Sequence, residues 1–138
     1  MHPQSIKRLK DKIRNLTNRN WSVSMAFRIK KLNQLITGWV QYFKYCNMQT
    51  LVKELDEWAR RRLRAVRWKE WKKVRTKKEN LIKLGLDKSK AWEYANSRKM
   101  YWRISNSWIL NKTLTIQYWN SQGFKGFYNY YSKVRVYT

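Results

Sequence analysis

Between Trp58 and Lys78 the chain reads WARRRLRAVRWKEWKKVRTKK, where cations far outnumber acids and tryptophans stand at 58, 68 and 71. Guanidinium and ammonium groups bind phosphate oxygens. An indole offers a flat face that either stacks on a base or sugar or anchors a core. Together they suit a protein that folds compactly and holds a polyanion along one side, with RNA as the leading partner. The plainer reading is that such a run forms the solvated faces of amphipathic helices. Against it, cations dominate almost every polar stripe of the chain.

The chemistry that is missing narrows the function further. Only eight acids occur, and they cluster only at Glu54, Asp56 and Glu57, at a predicted helix start where they complement the dipole. There is no aspartate pair of the kind that holds two catalytic metals. His2 and Cys46 are the only His and Cys, so neither a Cys/His metal cage nor a Ser/His or Cys/His nucleophile arrangement is expected. With no Gly-rich phosphate loop either, an enzyme whose whole active site lies in this chain is not expected, nor is a cofactor. The single cysteine excludes an internal disulfide and suits a reducing compartment, the cytoplasm. No apolar run reaches about 18 residues, and Met1–Lys10 lacks the apolar block of a secretory signal, so no membrane partner is expected.

The elements that must position these residues read as helices. Lys and Arg total 32, giving a net charge of +24, a self-repulsion that a bound polyanion relieves. Yet 43% of residues are hydrophobic and nine are Trp, which points to a packed core rather than a disordered basic tail. One proline and four glycines leave few breakers, so the expected class is all-α: an elongated bundle of three helices followed by several shorter packed ones. The first helix is predicted over 5–16, capped by Ser5, with Ile6, Leu9, Ile13 and Leu16 inward. The second covers 22–45 on the stripe Met25, Ile29, Leu32, Ile36, Trp39 and Phe43, and Gly38 within it is expected to admit a close helix contact.

The third helix, capped by Thr50, is predicted to run to about Val74, roughly 37 Å. One stripe is apolar (Leu51, Leu55, Trp58, Leu63, Val66, Val74); a second carries Arg61, Arg64, Trp68, Lys72 and Arg75. Trp39 and Trp58 read as core, while Trp68, Trp71 and the pair Trp102–Arg103 stand between core and stacking roles. A helix ending at Leu84 with Gly85 as terminator comes next. Further helices are predicted from Asp87 to Arg98 and over 106–121, closed by Gly123. Phe124–Tyr131 reads as helical or irregular, and 133–138 as extended. The division expected is 1–78, the three-helix bundle, and 79–138, the shorter helices packed against it.

Spaced motifs then carry a family resemblance. Ser5-Ile-Lys-Arg-Leu-Lys, Lys12-Ile-Arg-Asn-Leu-Thr17, Arg28-Ile, Leu32-Asn33 and Gly38-Trp39-Val-Gln-Tyr42-Phe43 occur in order. Leu55-Asp-Glu-Trp58, Arg61-Arg-Leu-Arg64, Trp68-Lys-Glu-Trp71-Lys and Leu81…Leu84-Gly85 follow. Ala91-Trp92, Trp102-Arg-Ile-Ser105 and Leu114…Gly123-Phe124 complete the series. From about His2 to Tyr131 the chain resembles the thumb and maturase-specific region (domain X) of a group II intron reverse transcriptase/maturase. The resemblance implies a helical, non-catalytic region that grips group II intron RNA to promote its folding and splicing. DNA or an RNA–DNA duplex, bound in support of mobility or reverse transcription, is the second candidate partner. It further implies that fingers and palm, with their metal-binding aspartates, precede a region of this kind, so that the chain is a fragment or a truncated descendant without polymerase activity. RNA contact is carried onto Lys7, Lys10, Lys12, Arg14, Arg28, Arg61, Arg64, Trp68, Lys72 and Arg75.

Overall fold

The computed structural model describes residues 2–97, 101–105 and 107–135. These residues are all-α, and no strand occurs among them. Helices α1 (Pro3–Leu16), α2 (Met25–Phe43) and α3 (Gln49–Glu70) are the long elements. Six shorter ones follow: α4 (Val74–Lys83), α5 (Lys88–Ala95), α6 (Tyr101–Ile104), α7 (Trp108–Thr113), α8 (Ile116–Ser121) and α9 (Phe127–Val134).

Local chemistry accounts for the boundaries, several of which differ from expectation. Pro3 occupies the first turn of α1, where its missing N–H costs nothing, and His2 is the cap, its Nδ1 accepting from the Gln4 N–H at 3.1 Å. Ser5 is therefore inside the helix. Helix α2 is shorter than the expected 22–45, and Ser24 caps it by accepting from the Phe27 N–H at 3.1 Å. Helix α3 begins at Gln49 without a side-chain cap, which puts Thr50 in its first turn.

The long helix stops four residues short of Val74. Trp71 turns inward, is only 8% exposed, and packs edge-to-face on Trp68 with ring centres 6.0 Å apart. Burying that indole bends the chain. Val74 then opens α4 at the surface, and Lys77 of α4 lies over the Trp68 ring at 4.8 Å. The expected helix over 106–121 is likewise two, α7 and α8. Fully buried Leu114 leaves helical geometry at φ −94°, ψ 68°, and Thr115 caps α8 by accepting from the Tyr118 N–H at 3.1 Å.

Gly85 and Gly123 act as the terminators the sequence suggested. At φ 96° and 94° each closes its helix with the paired bonds of a Schellman turn. Leu86 N–H reaches Leu81 O and Phe124 N–H reaches Trp119 O, both at 3.0 Å. Gly38 behaves otherwise: a Cβ there would meet nothing within 4 Å, so no helix packs against it. Lys133 and Val134 are still helical in α9, which corrects the extended reading at those two positions, while Arg135 leaves the helix; 136–138 and Arg98 lie outside the described residues.

One apolar core joins the long and short helices, from Leu9 and Ile13 through Leu32, Val52 and Leu63 to Ile109, Trp119 and Tyr131. Helix α9 lies across α2 and α3, and polar bonds set its position. The Tyr131 hydroxyl donates to Cys46 O at 2.6 Å and accepts from the Met48 N–H at 3.2 Å, which pins the turn between α2 and α3. Asp56, buried in α3, accepts from the Phe127 and Tyr128 N–H groups at 2.6 and 2.9 Å, so a carboxylate sits at the positive end of α9.

Candidate nucleic-acid interface

The acids go first to local tasks. Among the described residues four ion pairs form, Asp11–Arg14, Glu70–Arg67, Glu79–Arg75 and Glu93–Lys90, and each lies within one helix or across its last turn. Asp56 caps α9 and Asp87 stands at the start of α5 without making a side-chain cap bond. Only Glu54 and Glu57 remain, so most of the positive charge faces outward without a carboxylate.

Some cations are instead structural. Arg28 is 1% exposed, and its guanidinium donates to Leu16 O at 2.6 Å, Asn18 O at 3.1 Å and Trp21 O at 2.8 Å. Its charge lies 5.3 Å from the Trp21 ring centre. Burial holds its pKa below the usual arginine value, and the more distant Glu70 pulls it back up. From the other side, Arg62 donates to the Thr17 hydroxyl at 2.7 Å and Lys69 to Arg19 O at 3.1 Å. The α1–α2 loop is thus tied to α2 and α3 by cations that bind its carbonyls and hydroxyl.

Trp58 organises the outward charge. Lys10 and Arg14 of α1 and Arg62 of α3 stand around its ring, 6.0, 5.2 and 5.7 Å from the centre. It also lines an open cavity of about 520 Å³, together with Glu54, Glu57, Arg60, Arg61 and Arg64 of α3 and Asn111, Thr115 and Ile116. Spacings of three and four put Glu54, Glu57, Arg61 and Arg64 on one face of α3. Arg64 is 8% exposed and donates through Nε to Ser105 O at 2.9 Å. Burial, then the charges of Arg60 and Arg61, push its pKa down to about 10, so it stays charged at neutral pH. Helical spacing places Lys7 on the same side of α1 as Lys10 and Arg14.

Of the ten residues singled out from sequence, Lys7, Lys10, Arg14, Arg61 and Arg64 therefore fall on one basic face. Lys12 is exposed on the other side of α1, in a groove with Trp39 and Tyr42. Arg28 and Trp68, each 1% exposed, are interior, which corrects their assignment to an RNA surface. Lys72 and Arg75 do not continue the Arg61–Arg64 stripe because α3 has already ended. Lys72 borders a separate cavity beside Arg28, and Arg75 is ion-paired to Glu79 at 3.0 Å. Of the other tryptophans, Trp71 is core, while Trp39 and Trp58 are half-buried against it. The Trp102 side chain lies outside the described residues, and Arg103 is exposed.

Sequence reading passed over Arg60, Arg62 and Trp92 as site residues. The Arg60–Arg62 run is the signal for the first two, whereas the stripe through Arg61 and Arg64 points toward Lys72. Trp92 is 53% exposed with Lys78 Nζ 4.6 Å from its ring centre. The signal was present: Ala91 and Ala95, both buried, are the inward pair of α5, which leaves Trp92 on its flank.

A family model, the group II intron maturase-specific domain, matches residues 6–85, more than half of the chain. The chain belongs to that family. No curated protein matches it. The maturase-specific domain is a non-polymerase region, and the match takes in α1–α4, including the basic face of α1 and α3. No group of three or more His, Cys, Asp or Glu residues able to hold a metal occurs among the described residues, and none of their helices is long and apolar enough to cross a membrane.

Proposed function

We propose that this maturase-specific domain binds the folded RNA of a group II intron and promotes its splicing, without polymerising nucleotides itself. The supporting observation is the basic face shared by α1 and α3. Lys10, Arg14 and Arg62 converge on Trp58, and Arg60, Arg61 and Arg64 extend the charge along α3. A face of this kind neutralises phosphates placed by a folded RNA surface, and the fingers and palm of a full-length protein would carry the metal-dependent chemistry.

Binding should weaken steeply with salt, by ~0.7 to 0.9 in logarithmic slope per phosphate neutralised. Lys10→Ala or Arg14→Ala should each flatten that slope by about one unit. The deciding experiment is a competition between folded intron RNA and duplex DNA of equal length, with a splicing assay on the same intron. RNA preference together with faster splicing supports the proposal. Preference for the duplex, with no effect on splicing, would replace it with a role in reverse transcription or mobility. Primer extension by the pure chain would refute the non-polymerising part.

A further inference from the structure

The arginine-lined cavity beside Trp58 has two chemically different ends. Arg60 makes no hydrogen bond or ion pair with a described residue, and the two terminal nitrogens of Arg64 have none either, although that side chain is more than nine-tenths buried. A guanidinium that lines the cavity with two donors unused, crowded by two others, offers a phosphate a bidentate seat. At the other end Glu54 and Glu57 likewise make no ion pair or hydrogen bond within the described residues. Carboxylates there accept from hydroxyl or amino groups and repel a second anion. From Glu54 to Arg64 the axial distance along α3 is about 15 Å.

We infer that this cavity takes a single nucleotide, its phosphate held by Arg60, Arg61 and Arg64 and its ribose hydroxyl or base amino donors turned toward Glu54 and Glu57. A bare anion would use only one end, and a nucleoside without phosphate only the other. Trp58 lines the cavity as well, with Lys10, Arg14 and Arg62 near its ring. At about 520 Å³ the space falls within the range of small-ligand sites. The inference deepens the RNA-binding proposal and rests on it for its biological ligand: either an internal phosphodiester of the RNA strand or a terminal phosphate.

The test uses the full chain and three probes: uridine 5′-monophosphate, uridine and inorganic phosphate. Arginine side-chain Nε–Hε NMR signals are the readout. The monophosphate should shift the Arg64 signal at concentrations about tenfold lower than phosphate requires, and uridine should not shift it. Arg60→Ala should abolish that response and weaken binding of an RNA oligonucleotide about tenfold, with a salt slope lower by roughly one. Arg64→Lys, which keeps the charge but not the fork, should weaken oligonucleotide binding by a similar factor with its salt slope nearly unchanged. Arg60 makes no hydrogen bond or ion pair with a described residue and acts on Asp56 only through its charge, so its variant stays informative even if Arg64→Lys is unstable.

Oligonucleotides with and without a 5′-phosphate identify the source. Equal affinity assigns an internal phosphodiester, and a requirement for the 5′-phosphate assigns a terminus. If RNA binds well but Arg60→Ala matches the wild type in affinity and slope and Arg64→Lys matches it in affinity, the cavity is overturned and the RNA-binding proposal stands. If intron RNA does not bind while the monophosphate still shifts Arg64, the cavity stands and that proposal fails. No response of Arg64 to any probe overturns the cavity.

Discussion

Replacing Arg28 separates folding from binding. Its side chain holds three carbonyls of the α1–α2 loop at 2.6, 3.1 and 2.8 Å while being 1% exposed. Hydrogen bonds from a charged donor contribute about 1.5–3 kcal/mol each, net of the water they replace. Here the net is lower, because the guanidinium has no carboxylate partner and Nε is buried without an acceptor. Arg28→Ala removes the buried charge together with its cost, yet leaves three carbonyls and a side-chain-sized void behind. The expected net loss is about 3–5 kcal/mol, from buried carbonyls left without a donor at about 1–3 kcal/mol each and from the void. At about 3 °C per kcal/mol for a domain of this size, melting should fall by roughly 10–15 °C. Arg28→Lys should recover less than half, because a single ammonium cannot span three carbonyls. Melting is followed by far-UV circular dichroism, and RNA affinity is measured where every variant remains folded. Affinity and its salt slope should then be unchanged. A variant that melts within ~2 °C of wild type yet loses a full unit of salt slope would show Arg28 facing phosphate, and the structural argument would be wrong.

Trp68→Ala should cost ~3–5 kcal/mol in denaturant unfolding and leave the affinity of the folded fraction intact, because the indole is core; an affinity loss without a stability loss would return it to the surface. Asp56→Asn leaves one N–H at the start of α9 without its acceptor, costing ~1–3 kcal/mol at neutral pH. Burial raises the Asp56 pKa more than its two N–H bonds and Arg60 lower it. The folded state therefore binds more protons there, and this group's contribution to stability is lost as pH rises from the ordinary carboxylate value through the folded one. The asparagine variant should lack that slope in unfolding experiments across the acid range; an unchanged slope would assign it elsewhere. Trp92→Ala should weaken RNA binding by ~1–3 kcal/mol if a base stacks on its open face, with melting within ~2 °C of wild type. A large drop in melting with no loss of affinity would make Trp92 a packing residue.

Much of the fold was legible because helical periodicity is a local signal. The stripes through Leu9 and Ile13, Leu32 and Ile36, and Leu55 and Leu63 all became core, and Gly85 and Gly123 needed only their positive φ to act as stops. The ends of α3 and α7 were not legible. Trp71 and Leu114 fit a continuing helix by propensity, and the chain bends because burying each is worth more than another helical turn. Such a bend depends on what lies across the core, which periodicity along one segment does not record. The site suffered from the same error, since following one stripe across the end of α3 joined Lys72 and Arg75 to residues they do not accompany.

The sorting of cations has a different cause. Charge alone does not tell a phosphate ligand from a side chain that binds the protein's own carbonyls. Here residue type does part of that sorting. Arg28, Arg62 and Arg64 reach backbone or hydroxyl oxygens from buried or half-buried positions, whereas Lys7 and Lys12 stand exposed. A planar guanidinium with five donors can serve several oxygens while packing against an indole, as Arg28 does with Trp21, and it is more weakly hydrated than an ammonium. Lys69 is the exception, reached through its long stem to the Arg19 carbonyl. An alanine scan of this protein should therefore divide by residue type as well as position. Replacements of lysine on α1 report on binding, whereas replacing Arg28 or Arg62 reports first on whether the α1–α2 loop still holds its shape.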